Sequence, residues 1–143
     1  GLLRGNRRHP YRVLRPFRER DVRLEFAIVP LDPRIHFALV CGARSCPPIG
    51  FYEAEQIDFQ LRLAAMSFIN SPQVKILPEE KTVFISMIFK WYKIDFGGSD
   101  NALLDTLLKY LDEGKDKAFL EENRNQIRIR YQPYDWNLNQ SER

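Results

Sequence analysis

Two cysteines, a histidine and a late aspartate are the residues of this chain best suited to making and breaking bonds. In "HFALVCGARSCPPIGFY", His36 to Tyr52, Cys41 and Cys46 stand five positions apart, and His36 precedes Cys41 by the same spacing. A thiol attacks as its thiolate, and a neighbouring guanidinium favours that form. Cys46 stands near Arg44 and ahead of Pro47-Pro48, so it is the expected nucleophile. His36 would be its base, and Asp135 would orient the imidazole as the third member of a triad. That set reads as a thiol-dependent hydrolase or transferase, of the kind built on papain-like or transglutaminase-like folds. Against it, Cys41 closing a buried strand would behave as a small apolar residue. On such a strand His36 and Cys41 would face opposite ways. Asp135 close to Arg34 or Arg44 would equally serve as a paired carboxylate that holds the fold together.

Metal and redox chemistry are weaker readings. Cys-x4-Cys leaves only His36 and His9 to complete a site, whereas structural zinc takes four strong ligands. Neither a metal nor a cofactor is expected. A Cys41–Cys46 disulfide fits across a tight loop but lacks the Cys-x-x-Cys spacing of efficient dithiol enzymes. Taken together, the residues favour a soluble binding or scaffold domain without established catalysis. The thiol enzyme is the alternative.

Further recognition chemistry comes from arginines and aromatic rings. Between Arg4 and Arg23 the chain carries eight arginines and no lysine, and Arg34 follows. Planar guanidinium forks suit phosphate and carboxylate, which makes Arg7, Arg8 and Arg12 candidates for nucleic-acid contact and Arg34 and Arg44 candidates for anion binding. Nucleic-acid binding is the third reading only, because the net charge is a mild +3 and binders of that class carry a stronger basic excess. "FKWYKIDF" offers Trp91 and Tyr92 as a recognition surface. Core packing by Phe89, Trp91 and Tyr92 under snorkelling lysines is the plainer account.

These residues must be positioned by a small set of elements. "LEFAIV" (Leu24–Val29) and "IHFALVC" (Ile35–Cys41) read as strands joined by a turn at Asp32-Pro33, the second an unbroken apolar run that fits a central strand. It should bury Ile35, Phe37, Leu39 and Cys41 on one face. Residues 53–70 read as a helix with two opposed apolar stripes, one through Ile57, Leu61, Ala64, Ala65 and Phe68, the other through Phe59, Leu63 and Met66. The second stripe needs a partner, because a surface helix ordinarily shows one. "VKIL" and "TVFIS" form a hairpin, and Ser86 caps the short helix "MIFKWY". A leucine-faced helix over residues 100–114 ends at Gly114. "KAFLEEN" adds a helical turn or two. "QIRIRY" alternates as a half-buried strand with Arg128 and Arg130 outward. The order β-β-α-β-β-α-α-β predicts an α+β domain with a mostly antiparallel sheet of four to five strands and flanking helices.

At 143 residues, 44% hydrophobic and 29% charged, the chain has the size and balance of one globular domain, residues 1–143, with residues 1–22 as an irregular arginine-rich arm. No run reaches the ~18 apolar residues that a membrane helix requires. Two cysteines leave the redox compartment open, with the cytoplasm slightly favoured.

"GLLRGN", "LDPRIHFALVCGARSCPPIGFY", "FKWYKIDF" and "YDWNLN", in that order along the chain, together resemble the DUF547 family, a domain of unknown function. The resemblance implies no agreed activity. Family members occur in bacteria, in plant leucine-zipper ternary complex factors, and in animals beside glutaredoxin-like and DEP modules. The family domain usually opens with a further helix upstream, so the chain looks like its C-terminal part. The expected partner is accordingly another protein or that upstream portion, with no membrane involvement and the oligomeric state open.

Overall fold

The computed structural model describes residues 20–26 and 31–139. Contacts divide the chain into two compact units, Gly1–Pro33 and Arg34–Arg143. In the first, the described residues form a 3-10 turn, Val22–Phe26. Arg23 forks onto Asp21 through Nε at 2.8 Å and Nη2 at 2.6 Å. Those side-chain bonds hold the Asp21 carboxyl down at about 2. The strand expected from Leu24 is therefore corrected: Leu24, Glu25 and Phe26 are helical, and residues 27–30 lie outside the described residues. So do Arg7, Arg8 and Arg12 of the arm.

The second unit is α+β. Its elements run α1 (Ile57–Ile69), β1 (Val74–Leu77), β2 (Thr82–Ile85), α2 (Met87–Trp91), α3 (Asp100–Tyr110), α4 (Lys115–Asn123) and β3 (Arg128–Tyr131). The strands make one sheet in the order β1-β2-β3. β1 and β2 are the expected hairpin, antiparallel with Leu77 opposite Thr82. β3 joins β2 in parallel, with Val83 opposite Ile129. Among the described residues the sheet is thus three-stranded and mixed, which corrects the expected four to five mostly antiparallel strands. The physical reason is the length of the connection: three helices separate β2 from β3, and only a long crossover can return the chain in the same direction. β3 keeps the expected alternation, with Arg128 and Arg130 exposed and Ile129 and Tyr131 half-buried.

Local chemistry sets the helix boundaries. The Ser86 hydroxyl accepts from the Ile88 amide at 3.3 Å and starts α2, and the Ser99 hydroxyl accepts from Ala102 at 3.1 Å and starts α3. Such caps satisfy amides that have no partner inside the helix. α3 buries Leu103, Leu104 and Leu107, but it stops at Tyr110. Gly114, expected as its terminator, is the N-cap of α4.

The core is aromatic at its centre. Phe37 lies 5.2 Å from Phe68, 5.6 Å from Phe89 and 5.6 Å from Phe96, ring centre to ring centre. All three pairs are tilted, at spacings within the ~4.5–7 Å range of favourable aromatic contact. Ile69, Val83, Ile85, Leu103 and Leu107 complete the packing.

Two expectations about apolar stretches meet different fates. "IHFALVC" is not a strand. Pro33–Phe37 is a 3-10 turn, and the amides of Ala38 and Leu39 both bond back to the Ile35 carbonyl at 3.0 Å. Those amides are spent locally, so no ladder can form. Phe37 is buried at 1%, but Leu39 is 52% exposed and Cys41 is exposed as well. In α1, Ala65 and Phe68 are buried and Met66 packs against the core. Phe59 and Leu63 of the second stripe stand open, at 59% and 47% exposed.

Candidate functional site

The first positioning device is the stretch of the 3-10 turn that opens the second unit, Arg34 to Phe37. Phe37 anchors it in the ring cluster, and the Arg34 guanidinium ties it to α1 through the Asp58 carboxylate at 2.7 Å and the Asp58 carbonyl at 3.1 Å. Arg34, a candidate for anion binding, is thus engaged in holding structure. Between these two anchors, His36 is buried at 6%. Its Nε2 lies 3.0 Å from Asp95 Oδ2, and both side chains are 5% exposed. Its ring stacks on Tyr92 at 3.9 Å and 15°. One nitrogen and one face of the imidazole are therefore fixed.

The second device is the loop from Cys41 to Cys46. Gly42 turns the chain at φ +79 with open space around its missing Cβ, so the position calls for glycine through its backbone and not through crowding. Ala43 makes an antiparallel bridge with Leu138. Arg44 donates its amide to Asn137, and Asn139 donates to Gly42. The Ser45 hydroxyl accepts from the Asp135 amide at 2.9 Å. A short two-stranded clasp thus pins the loop against residues 135–139. Arg44 serves in that clasp through its backbone.

Between these devices opens a cleft of about 510 Å³. Trp91, Tyr92, Tyr134 and Trp136 form much of its wall, Leu39 and Val40 add aliphatic surface, and His36, Cys41 and Cys46 supply its reactive groups. Three of the rings pack at tilted angles: Trp91 with Tyr134 at 4.9 Å, Tyr134 with Trp136 at 4.5 Å, and Trp91 with Trp136 at 5.6 Å. Trp91 remains 43% and Trp136 67% exposed. Of the "FKWYKIDF" aromatics named for the core, only Phe89 is fully buried there, and Trp91 and Tyr92 face the cleft.

The two thiols are in contact, with sulfurs 3.0 Å apart. Their environments differ in a way the sequence does not show. The Tyr134 hydroxyl lies 3.4 Å from Cys41 Sγ. Hydrogen bonds from Tyr134, then from Cys46, then from the Ala43 amide stabilise the Cys41 thiolate and pull its pKa down. Cys46 is pushed the other way. Burial opposes its ionisation first, and contact with Cys41 adds to that, outweighing the Cys41 amide that points at Cys46 Sγ from 2.9 Å. The expectation that Arg44 activates Cys46 is therefore corrected: the half-buried thiol is Cys46, and the exposed, acidified one is Cys41. The Tyr134 phenol is itself raised, by burial and then by the bonds to Cys41 and Cys46.

Of the anticipated triad, the fold brings Cys46 and His36 to one cleft. Asp135 is turned elsewhere, its Oδ1 accepting from the Asn137 amide at 2.9 Å and the Asn137 side chain at 2.7 Å. The carboxylate on His36 is Asp95, which sequence reasoning does not link to it. Its one signal is an acid placed between two apolar residues, Ile94 and Phe96. Tyr134 and Trp136 are missed as well, although they flank Asp135. Among the described residues no group of three or more His, Cys, Asp or Glu is placed to hold a metal ion.

Residues 1–69 match the model of a family described as "Protein of unknown function, DUF547". That stretch is similar to DUF547 sequence. The resemblance read from the sequence holds over it, and it contains His36, Cys41 and Cys46. From beyond that match, Tyr134 and Trp136 line the cleft and Asp95 meets His36. No curated protein and no solved structure matches the chain. Among the described residues no helix is long and apolar enough to cross a membrane.

Proposed function

We propose that this is a binding domain whose ligand is a small molecule bearing a flat apolar group, taken up in the ring-walled cleft. The observation that carries the reading is the cleft itself: about 510 Å³ of open space beside two exposed tryptophans, Trp91 at the end of α2 and Trp136 in the clasp. Pockets for small molecules are of this size and pair apolar walls with a few fixed polar groups. His36 and Cys41 are the polar groups of this one. Ring faces give stacking surface at little entropic cost, because an indole has only two rotatable bonds to immobilise. Titration with anilinonaphthalene sulfonate, followed by tryptophan quenching and dye emission, tests the reading. Saturable binding is expected, weakened on the order of tenfold by Trp136→Ala or Trp91→Ala through lost stacking, about 1.4 kcal/mol. Unchanged affinity in both variants would remove the cleft as the site.

A second reading, thiol-dependent hydrolysis or transfer, is favoured by one observation. Both cysteines line the cleft that His36 lines, and Asp95 holds His36 as the third member of a triad would. The roles then read Cys41 or Cys46 as nucleophile, His36 as base and Asp95 as orienting group. p-Nitrophenyl acetate is the simplest probe. Saturable nitrophenol release that is lost in His36→Gln and in one cysteine variant supports this chemistry, and release at equal rates in all of them eliminates it.

A further inference from the structure

We propose that Cys41 and Cys46 form a reversible dithiol–disulfide pair that exchanges with small-molecule disulfides at the cleft, Cys41 attacking and Cys46 resolving. The inference goes beyond ligand binding and does not rest on it. Four observations carry it. The sulfurs are already 3.0 Å apart, so about 1 Å of approach reaches the ~2.05 Å of a disulfide bond. The loop between them is clasped from Gly42 to Ser45 by residues 135–139, which keeps the second thiol beside the first with little freedom left to lose on closure. Cys41 is exposed while Cys46 is half-buried, so an incoming disulfide meets Cys41 first. Finally, the Tyr134 hydroxyl stands 3.4 Å from Cys41 Sγ, where it donates to the thiolate. The lowered pKa of Cys41 and the raised one of Cys46 follow the same division of labour.

The exchange balances without any group outside the pair and the disulfide RSSR. The Cys41 thiolate attacks one sulfur of RSSR. A Cys41–S–S–R bond forms, the R–S–S–R bond breaks, and RS⁻ leaves. Cys46 gives up its proton to solvent or to the departed RS⁻, and its thiolate attacks the Cys41 sulfur. The Cys41–Cys46 bond forms and the second RS⁻ leaves. Two thiols are oxidised and one disulfide is reduced to two RSH, whose protons are those lost by Cys41 and Cys46. The low pKa thiol attacks and the buried one resolves, because thiolate fraction and access set the first step.

The test treats the reduced, folded protein with oxidised glutathione at neutral pH, traps free thiols with a maleimide and reads intact mass. The parent is expected to lose both thiols together, as a monomer lighter by two hydrogens and free of adduct. Cys46→Ser should stop at a glutathione adduct on Cys41. Cys41→Ser should react at Cys46 more slowly, on the order of tenfold, because a buried thiol of raised pKa is mostly un-ionised. Tyr134→Phe should raise the pH midpoint of Cys41 alkylation. A persistent adduct in the parent, disulfide-linked dimers in place of ring closure, or equal rates in the two cysteine variants would overturn the proposal. If a cysteine variant does not fold by circular dichroism, the Tyr134→Phe midpoint decides, and an unshifted midpoint counts against it. Dye binding, read separately, keeps this outcome distinct from that of the cleft.

Discussion

Phe37→Ala is expected to lower the free energy of unfolding by about 3–5 kcal/mol, the range for removing a buried phenyl ring. Phe37 is 1% exposed and meets Phe68, Phe89 and Phe96, so its loss opens a cavity bounded by three rings that cannot all close in. Leu39→Ala, only two residues further on, is expected to change stability by no more than about 0.5 kcal/mol, because Leu39 is 52% exposed. The contrast is what distinguishes the turn from a strand. A strand through this segment would place both side chains on the same face and make both substitutions costly. Urea unfolding followed by circular dichroism measures the difference through the midpoint at constant slope. Equal losses from the two variants would show that residues 35–41 pack as a strand after all. Because Phe37 anchors the turn that carries His36, the variant should also lose dye binding before it unfolds.

Asp95→Ala is expected to cost roughly 1–3 kcal/mol, the penalty for removing one partner of a buried hydrogen bond. The bond to His36 is 3.0 Å long, and each side chain is 5% exposed, so water cannot readily take the place of the carboxylate. Asp95→Asn keeps the shape and one oxygen, and should cost less. The positioning role has its own readout. With Asp95 gone, the His36 ring loses the carboxylate that fixes its Nε2, so near-ultraviolet dichroism of the cleft rings should change while the far-ultraviolet spectrum stays. Stability within about 0.5 kcal/mol of the parent, together with an unchanged near-ultraviolet spectrum, would rule this role out.

Periodic segments are legible in the sequence, and the rest is not, for reasons that individual residues make plain. The leucines of α3 recur at helical spacing, and Ile129 and Tyr131 alternate with arginines, so both elements can be read. "IHFALVC" has no period at all, and such a run suits a strand and a buried helical turn alike. The parallel sense of β3 depends on where three intervening helices lead the chain, which no local pattern records. At the site, His36, Cys46, Trp91 and Tyr92 are identifiable by residue type. Which carboxylate reaches His36 is a matter of tertiary placement: Asp95 arrives just after α2, in the same segment as Tyr92, while Asp135 is used up in its own turn. The exchange of character between Cys41 and Cys46 likewise follows from burial and from Tyr134, neither of which spacing reveals.

The clasp between Ala43 and Leu138 has a consequence for the order of events as the chain matures. It joins segments separated by all four helices and all three strands of the second unit, so its closure bears the greatest loop entropy in that unit and belongs to its slowest class of contact. Helix pairs and the β1–β2 hairpin can assemble while residues 135–139 are still inside the ribosome; the thiol loop cannot. During synthesis Cys41 and Cys46 therefore emerge early and wait, unclasped and without Tyr134, until nearly the whole unit has been made. The finished cleft is a certificate of completed folding, and a nascent or truncated chain that stops short of residue 134 should carry two ordinary, independently reactive thiols.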